Sequence, residues 1–284
     1  AEAVISGFTI TGGFNDDFLT SGGGGGGFYI QQSALTIENC IVSDCNAVEG
    51  AGMLIRNSTG TKIKNCRIKN NIGYHSYKAA KAAGVYLFLN YDVTFTGCRF
   101  ISNQVLPPAY NGGAVQLYRY NAIFENCLFE GNFANRSGGV GFIEEGNLTF
   151  NNCTFASNSS GGNGGVFFVS YTGGAAVTAN NCIFWNNTAG SSGDDVYLSG
   201  VGTAGGTFIY GHTDINPYNI VHGGNGGTTA TDTGGCFSAN PHFAETGYAS
   251  GDTWIEGDYH LKSMAGRFAP VLGGFAWVTD TIHS

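Results

Sequence analysis

At 284 residues, with a net charge of −8, 47 glycines and five prolines, the chain excludes several classes at once. Glycine costs about 1 kcal/mol in a helix interior relative to alanine, so long helices are out, and without a strict triplet period collagen is out too. Aromatic residues are plentiful and charge is low, unlike a disordered chain; no basic stripe offers itself to nucleic acid, and no apolar run approaches the roughly 18 residues of a membrane helix.

The chain opens on AEAVISGFTITGG, already strand-like, with no charged leader or cleavage site, and it stops abruptly at Ser284. Both ends read as those of a fragment or processed product. An Asn-Cys repeat then begins. Cys40, Cys66, Cys98, Cys127, Cys153 and Cys182 follow one another at intervals of 26, 32, 29, 26 and 29 residues. Two positions after each stands an apolar residue: Val42, Ile68, Phe100, Phe129, Phe155 and Phe184. Five positions after stand Cys45, Asn71, Asn103, Asn132, Asn158 and Asn187. Three positions before stand Ile37, Ile63, Phe95, Phe124, Phe150 and Ala179, and a cysteine-free copy around Ile5, Phe8 and Ile10 precedes them all.

The parity of these positions describes a bend. Inward residues of a strand are two apart, yet the phase slips by one between positions −3 and 0. At −1 stand Asn39, Asn65, Gly97, Asn126, Asn152 and Asn181, residue types that tolerate a left-handed backbone. A third strand follows each small-residue pair. Aligned on those pairs, its inward residues are Phe28/Ile30, Met53/Ile55, Val85/Leu87, Ala114/Gln116, Val140/Phe142 and Val166/Phe168. Its outward rows are Tyr29, Leu54, Tyr86, Val115, Gly141, Phe167 and Gln31, Arg56, Phe88, Leu117, Ile143, Val169. A unit this small buries its apolar face only by stacking on its neighbours. The expectation is an all-β, right-handed parallel β-helix of about seven or eight coils, each with three short strands. Residues 1–199 form the repeat domain; residues 200–284 form a terminal coil plus an irregular cap, because a solenoid end must be covered.

The repeated GGAV at Gly112–Val115 and FEGN at Phe129–Asn132, with FISN, FASN and FWNN at Phe100, Phe155 and Phe184, resemble the paired G-G-A-[ILV] and F-x-x-N motifs of chlamydial polymorphic outer-membrane proteins. The opening ISGFTITGG and the tail NPHF…GDYHLKSMAGR resemble large secreted β-helix proteins of environmental bacteria. The resemblance implies a secreted or surface-exposed protein, often an adhesin, whose partner is a glycan or a protein on a host or neighbouring cell.

Candidate functional residues follow from chemistry. The outward rows are too apolar for a solvated sheet face, which marks either a surface covered by loops or an interface. Tyr29, Tyr86, Phe88 and Phe167 on those rows, with Tyr74, His75, Tyr77 and Tyr110 on corner loops, are the candidate glycan- or protein-binding residues. A lyase would need cations at the sugar, and Arg67, Lys69 and Arg99 fall outward on adjacent coils. The acidic pairs Asp16-Asp17 and Asp194-Asp195 are the candidates for calcium, the one cofactor considered. Asn57 and Asn135 are sequons at corners that could carry sugar. The cysteine ladder reads as buried thiols, with a disulfide at Cys45 or Cys236 as the alternative. These features favour a non-catalytic adhesion, glycan-binding or structural module. The rivals are a polysaccharide lyase or glycoside hydrolase, and a self-associating subunit of a filament or surface layer.

Overall fold

Asn39, Asn65, Gly97, Asn126, Asn152 and Asn181 all turn the backbone through the left-handed region, with φ between 50° and 64°. A second corner repeats the device at Asp44, Asn70, Ser102, Gly131, Ser157 and Asn186. Short polar side chains and glycine are what such corners accept at least cost. The computed structural model describes residues 3–15, 24–74, 80–107, 111–251, 253–261, 268–269 and 274–275.

Between the corners the strands stack coil on coil into a parallel β-helix of about seven turns. The second sheet runs Thr9–Thr11, Ile41–Ser43, Arg67–Lys69, Arg99–Ile101, Leu128–Glu130, Thr154–Ala156 and Ile183–Trp185, every pair parallel and in register. The third contains two-residue strands, from Phe14–Asn15 to Thr188–Ala189. The first and widest sheet joins the remaining two sides of the coil. In the middle coils those sides fuse into long bent strands, Val85–Thr96, Val115–Glu125 and Gly141–Asn151.

The core is built from like on like. Phe95, Phe124 and Phe150 stack at 4.6 and 4.9 Å. Phe100, Phe129, Phe155 and Phe184 stack beside them, and the two columns meet edge to face. Aromatic pairs favour these offset and T-shaped geometries. All eight cysteines are free thiols. Those of the ladder are buried, and Cys127 Sγ donates to the carbonyls of Phe95 and Glu125. Burial, followed by hydrogen bonding with Cys153, pushes the Cys127 thiol pKa up.

The asparagines at +5 form one continuous column. The Asn71 amide donates to Asn103 Oδ1 at 2.9 Å, Asn103 to Asn132 at 3.0 Å, Asn132 to Asn158 at 2.9 Å and Asn158 to Asn187 at 3.1 Å. Each amide also donates to a carbonyl of the preceding coil, as Asn132 does to Phe100. Every buried group of the column is thereby satisfied, which is the condition under which a buried polar network stabilises. The last amide, Asn187, donates to Asp195 Oδ1 at 3.0 Å.

The chain divides into two compact units, residues 1–238 and 239–284. In the first, Thr207–Gly211, Ile220–Gly224 and Thr229–Asp232 continue the parallel ladder past residue 199. The second is antiparallel, pairing Phe243–Glu245 with Asp258–Leu261 and Tyr248–Ser250 with Thr253–Ile255.

The inward and outward rows of the third strand require a correction. Val115, Leu117, Ile143, Phe167 and Val169 are buried in the core, while Phe142 and Phe168 face outward. The equivalent residue in each coil is not the second member of a Gly-Gly pair. It is the left-handed residue three positions before the first inward side chain: Gly25, Gly50, Ala82, Gly112, Gly138, Gly164 and Gly193. Aligning Gly52-Met53 and Gly84-Val85 with Gly113-Ala114 displaces the later coils by one residue, and in a strand one residue exchanges the faces.

Candidate functional site

With the register corrected, the outer row of the first sheet reads Tyr29, Leu54, Tyr86, Gln116, Phe142, Phe168 and Tyr197. Its two halves differ. Leu54 and Tyr86 are each only 1% exposed and form a small apolar cluster with Ala82. Gly24 lies so close that a Cβ there would come within 2.4 Å of Leu54 Cδ2. Lys81 spans Tyr86, its Nζ 5.3 Å from the ring centroid and 3.6 Å from Glu49 Oε1. Burial, then the nearby carboxylates of Glu49 and Glu144, holds the Tyr86 phenol pKa above its ordinary value. Tyr86 is therefore no open binding residue, and Phe167, fully buried, is a core residue.

The later half is open. Phe142 and Phe168 stack at 5.0 Å with planes 13° apart, and Phe168 and Tyr197 at 5.3 Å with planes 18° apart. They form the floor of a cleft of about 350 Å³. Asn111, Arg136, Ser137 and Asn163 line its corner side; Ser170, Tyr171 and Ser199 line the other. The second wall is braced. Ser170 Oγ and Thr172 Oγ1 are 2.9 Å apart, and the Thr172 hydroxyl donates to the Glu144 carbonyl at 2.6 Å. Asn111 Oδ1 is buried and accepts no hydrogen bond among the described residues. An apolar floor with a few amides, hydroxyls and one guanidinium around it is the make-up of a small-molecule or saccharide site.

On the next outward row, Phe88 and Tyr118 stack at 5.2 Å, with Arg56 over Phe88 at 4.9 Å and Arg119 over Tyr118 at 5.1 Å. Across a register shift Tyr118 pairs with Glu145, and the residue before it, Glu144, accepts from Gln116 Nε2. Its carboxyl pKa is raised, chiefly by burial, against the lowering effect of Lys81 and Gln116.

The remaining candidates scatter. Tyr29 and Tyr74 are exposed, at 39% and 42%. Asp16, Asp17, His75, Tyr77 and Tyr110 lie outside the described residues. Arg67 and Arg99 are in-register neighbours on the second sheet, and Lys69 pairs with Ile101 there. Asp194 Oδ1 accepts from the Ala189 amide at 2.9 Å, while Asp195 is buried between Asn187 and Asn219. Both acids thus terminate local structure, and no three His, Cys, Asp or Glu side chains converge on a metal position among the described residues. Asn57 is exposed at a left-handed corner, and Asn135 is half-buried. Phe142, Phe168 and Tyr197 are the site residues that sequence reasoning missed.

Comparison with known proteins bears on the fold. No curated protein matches the sequence. Among solved structures, the pectin methylesterase of Aspergillus niger is similar in its penultimately deglycosylated form at 16% identity, over 84% of this chain and 83% of that one, with a TM-score of 0.44. Its deglycosylated form matches at 15% identity over 84% and 79%, with a TM-score of 0.46. A thermostable pectate lyase matches at 12% identity over 72% and 55%, with a TM-score of 0.26. The family model described as the right handed beta helix region matches residues 2–173. With more than half of its length matched and its strands stacked in parallel coils, the chain belongs to the right-handed β-helix family.

Proposed function

We propose that the protein is a non-catalytic, secreted or cell-surface module that binds a glycan chain in the cleft floored by Phe142, Phe168 and Tyr197. The observation that carries this reading is the run of three outward rings at 5.0 and 5.3 Å spacing, an advance comparable to that of one sugar unit along a polysaccharide. Because the rings stack on one another, they present a ladder of apolar edges to the cleft, against which the C–H face of a pyranose can pack, while Asn111, Asn163, Ser137 and Arg136 supply hydrogen-bond partners for hydroxyls. The resemblance to surface-exposed outer-membrane repeats supports the location.

Screening immobilised glycans, followed by calorimetry on any that bind, tests the proposal. Phe168→Ala removes the central ring and should weaken binding at least about tenfold, the effect of losing one buried aromatic anchor. Undiminished affinity in both Phe168→Ala and Tyr197→Ala would place the site elsewhere.

A further inference from the structure

Tyr91 and Tyr120 face each other from adjacent coils at the bend of the first sheet. Their rings stack with centroids 3.8 Å apart and planes 26° apart, and both side chains are exposed, at 47% and 39%. The nearby Tyr120 phenol, more than burial, raises the Tyr91 pKa. At that centroid distance the ring carbons of the two phenols are in direct contact. No other pair of tyrosine rings is in contact among the described residues.

The backbone is contorted to achieve this. Arg119 and Tyr120 are consecutive non-glycine residues with φ of 68° and 74°, and Leu89 and Asp92 flank Tyr91 at 56° and 53°. Bulky residues seldom occupy this region, and when they do the surrounding structure must hold them there. Here the holding contacts are visible. Arg119 Nε donates to Glu145 Oε2 at 2.7 Å, and Asn121 accepts from the Asp92 amide at 3.1 Å while donating to its carboxylate at 3.2 Å. Gly146 packs so tightly that a Cβ there would lie 2.1 Å from the Tyr120 carbonyl oxygen. A cleft of about 470 Å³ opens above the pair.

We propose that Tyr91 and Tyr120 are a built site for oxidative cross-linking, closing to an intrachain dityrosine under a peroxide-driven one-electron oxidant such as a haem peroxidase. Each phenol gives up one electron and its hydroxyl proton. The two phenoxyl radicals join through a bond between ortho carbons, and the two displaced ring hydrogens return to the oxygens as the rings regain aromaticity. Two hydrogen atoms leave the protein and reduce one hydrogen peroxide to two waters. The product ties two coils covalently at an outer corner, where a solenoid of stacked coils has only non-covalent ties.

The test is to treat the full chain with a catalytic haem peroxidase and one equivalent of hydrogen peroxide, with free N-acetyltyrosine in a parallel reaction to show that the oxidant is active. The expected result is a monomer lighter by two hydrogen atoms, with dityrosine fluorescence and a cross-linked peptide joining the segments of Tyr91 and Tyr120. Tyr91→Phe and Tyr120→Phe should each reduce that fluorescence at least tenfold. Tyr218→Phe, which alters the 90% exposed tyrosine, should leave it unchanged. Active oxidant with no intrachain product, or dityrosine that persists in both Tyr91→Phe and Tyr120→Phe, overturns the proposal.

Discussion

Gly141 lies in register with Phe167 on the next coil, and the side chain it lacks is the space the ring occupies: a Cβ there would stand 3.0 Å from Phe167 Cδ1. One residue further on, Phe142 stacks on Phe168 on the opposite face of the same two strands. Adjacent phenylalanines, 167 and 168, thus have opposite duties. Phe167→Ala should destabilise the fold by about 3–5 kcal/mol, as core aromatic truncations do. Phe168→Ala should cost far less stability than Phe167→Ala and weaken glycan binding at least about tenfold. Urea denaturation of the two variants reads the difference, and equal stability losses would mean the faces are misassigned.

Asp195 gives the fold a pH dependence of unusual sign. It is 2% exposed, and burial raises its pKa to about 6, against the lowering effect of hydrogen bonds from Asn219 and Asn187. In the unfolded chain it titrates near 3.9. Between those values the folded state holds a proton that the unfolded state has lost, so this group's contribution to stability falls as pH rises from about 4 to about 6. The loss is on the order of 3 kcal/mol and is complete above that range. Asp195→Asn removes the titrating group. The stability difference between variant and wild type should shift in the variant's favour from pH 4 to pH 7, and a difference flat across that range would contradict the assignment.

Thiol chemistry should separate the cysteines. Cys236 is partly exposed, and the other seven are buried. The neighbouring Cys98 thiol and burial raise the Cys66 pKa, and related contacts do the same for Cys98, Cys127 and Cys153. A thiol far from ionising is a poor nucleophile. Timed alkylation of native protein should modify Cys236 first and the ladder only on unfolding. Early labelling of Cys66 or Cys127 would show that the coils open locally.

The lyase alternative makes its own forecast. Arg67 and Arg99 stand side by side on the second sheet, away from the aromatic cleft of the first. Uronate polymers incubated with the protein and calcium should yield no unsaturated product, and Arg99→Ala should bind glycan like the wild type. Turnover that disappears in Arg99→Ala would establish the enzyme instead.

The coil itself was legible because its signals are local. Asn-Cys spacing, a parity slip and a corner asparagine each follow from backbone geometry within a few residues. The cleft was not, since Gly-Gly pairs are an unreliable landmark: the left-handed position is Gly in most coils but Ala82 in one. Counting three residues forward from that position would have placed Phe142 and Phe168 outside. The covering of Leu54 and Tyr86 left no such trace, because Gly24 and Lys81 reach those side chains from outside the strand and no spacing rule records where they fold.

The asparagine column also has a direction. From Asn71 to Asn187 every side-chain amide gives one of its two hydrogens forward along the column, and at Asp195 the sequence of donors meets a group that, when ionised, can only receive. Asn219 donates into the same carboxylate at 2.9 Å, from residues beyond it. Asp195 therefore acts as a terminator, while each coil between Asn71 and Asn187 is an interchangeable link. Lengthening or shortening this solenoid by whole coils leaves the terminator untouched, so the reach of the molecule can change by duplication without redesigning its end.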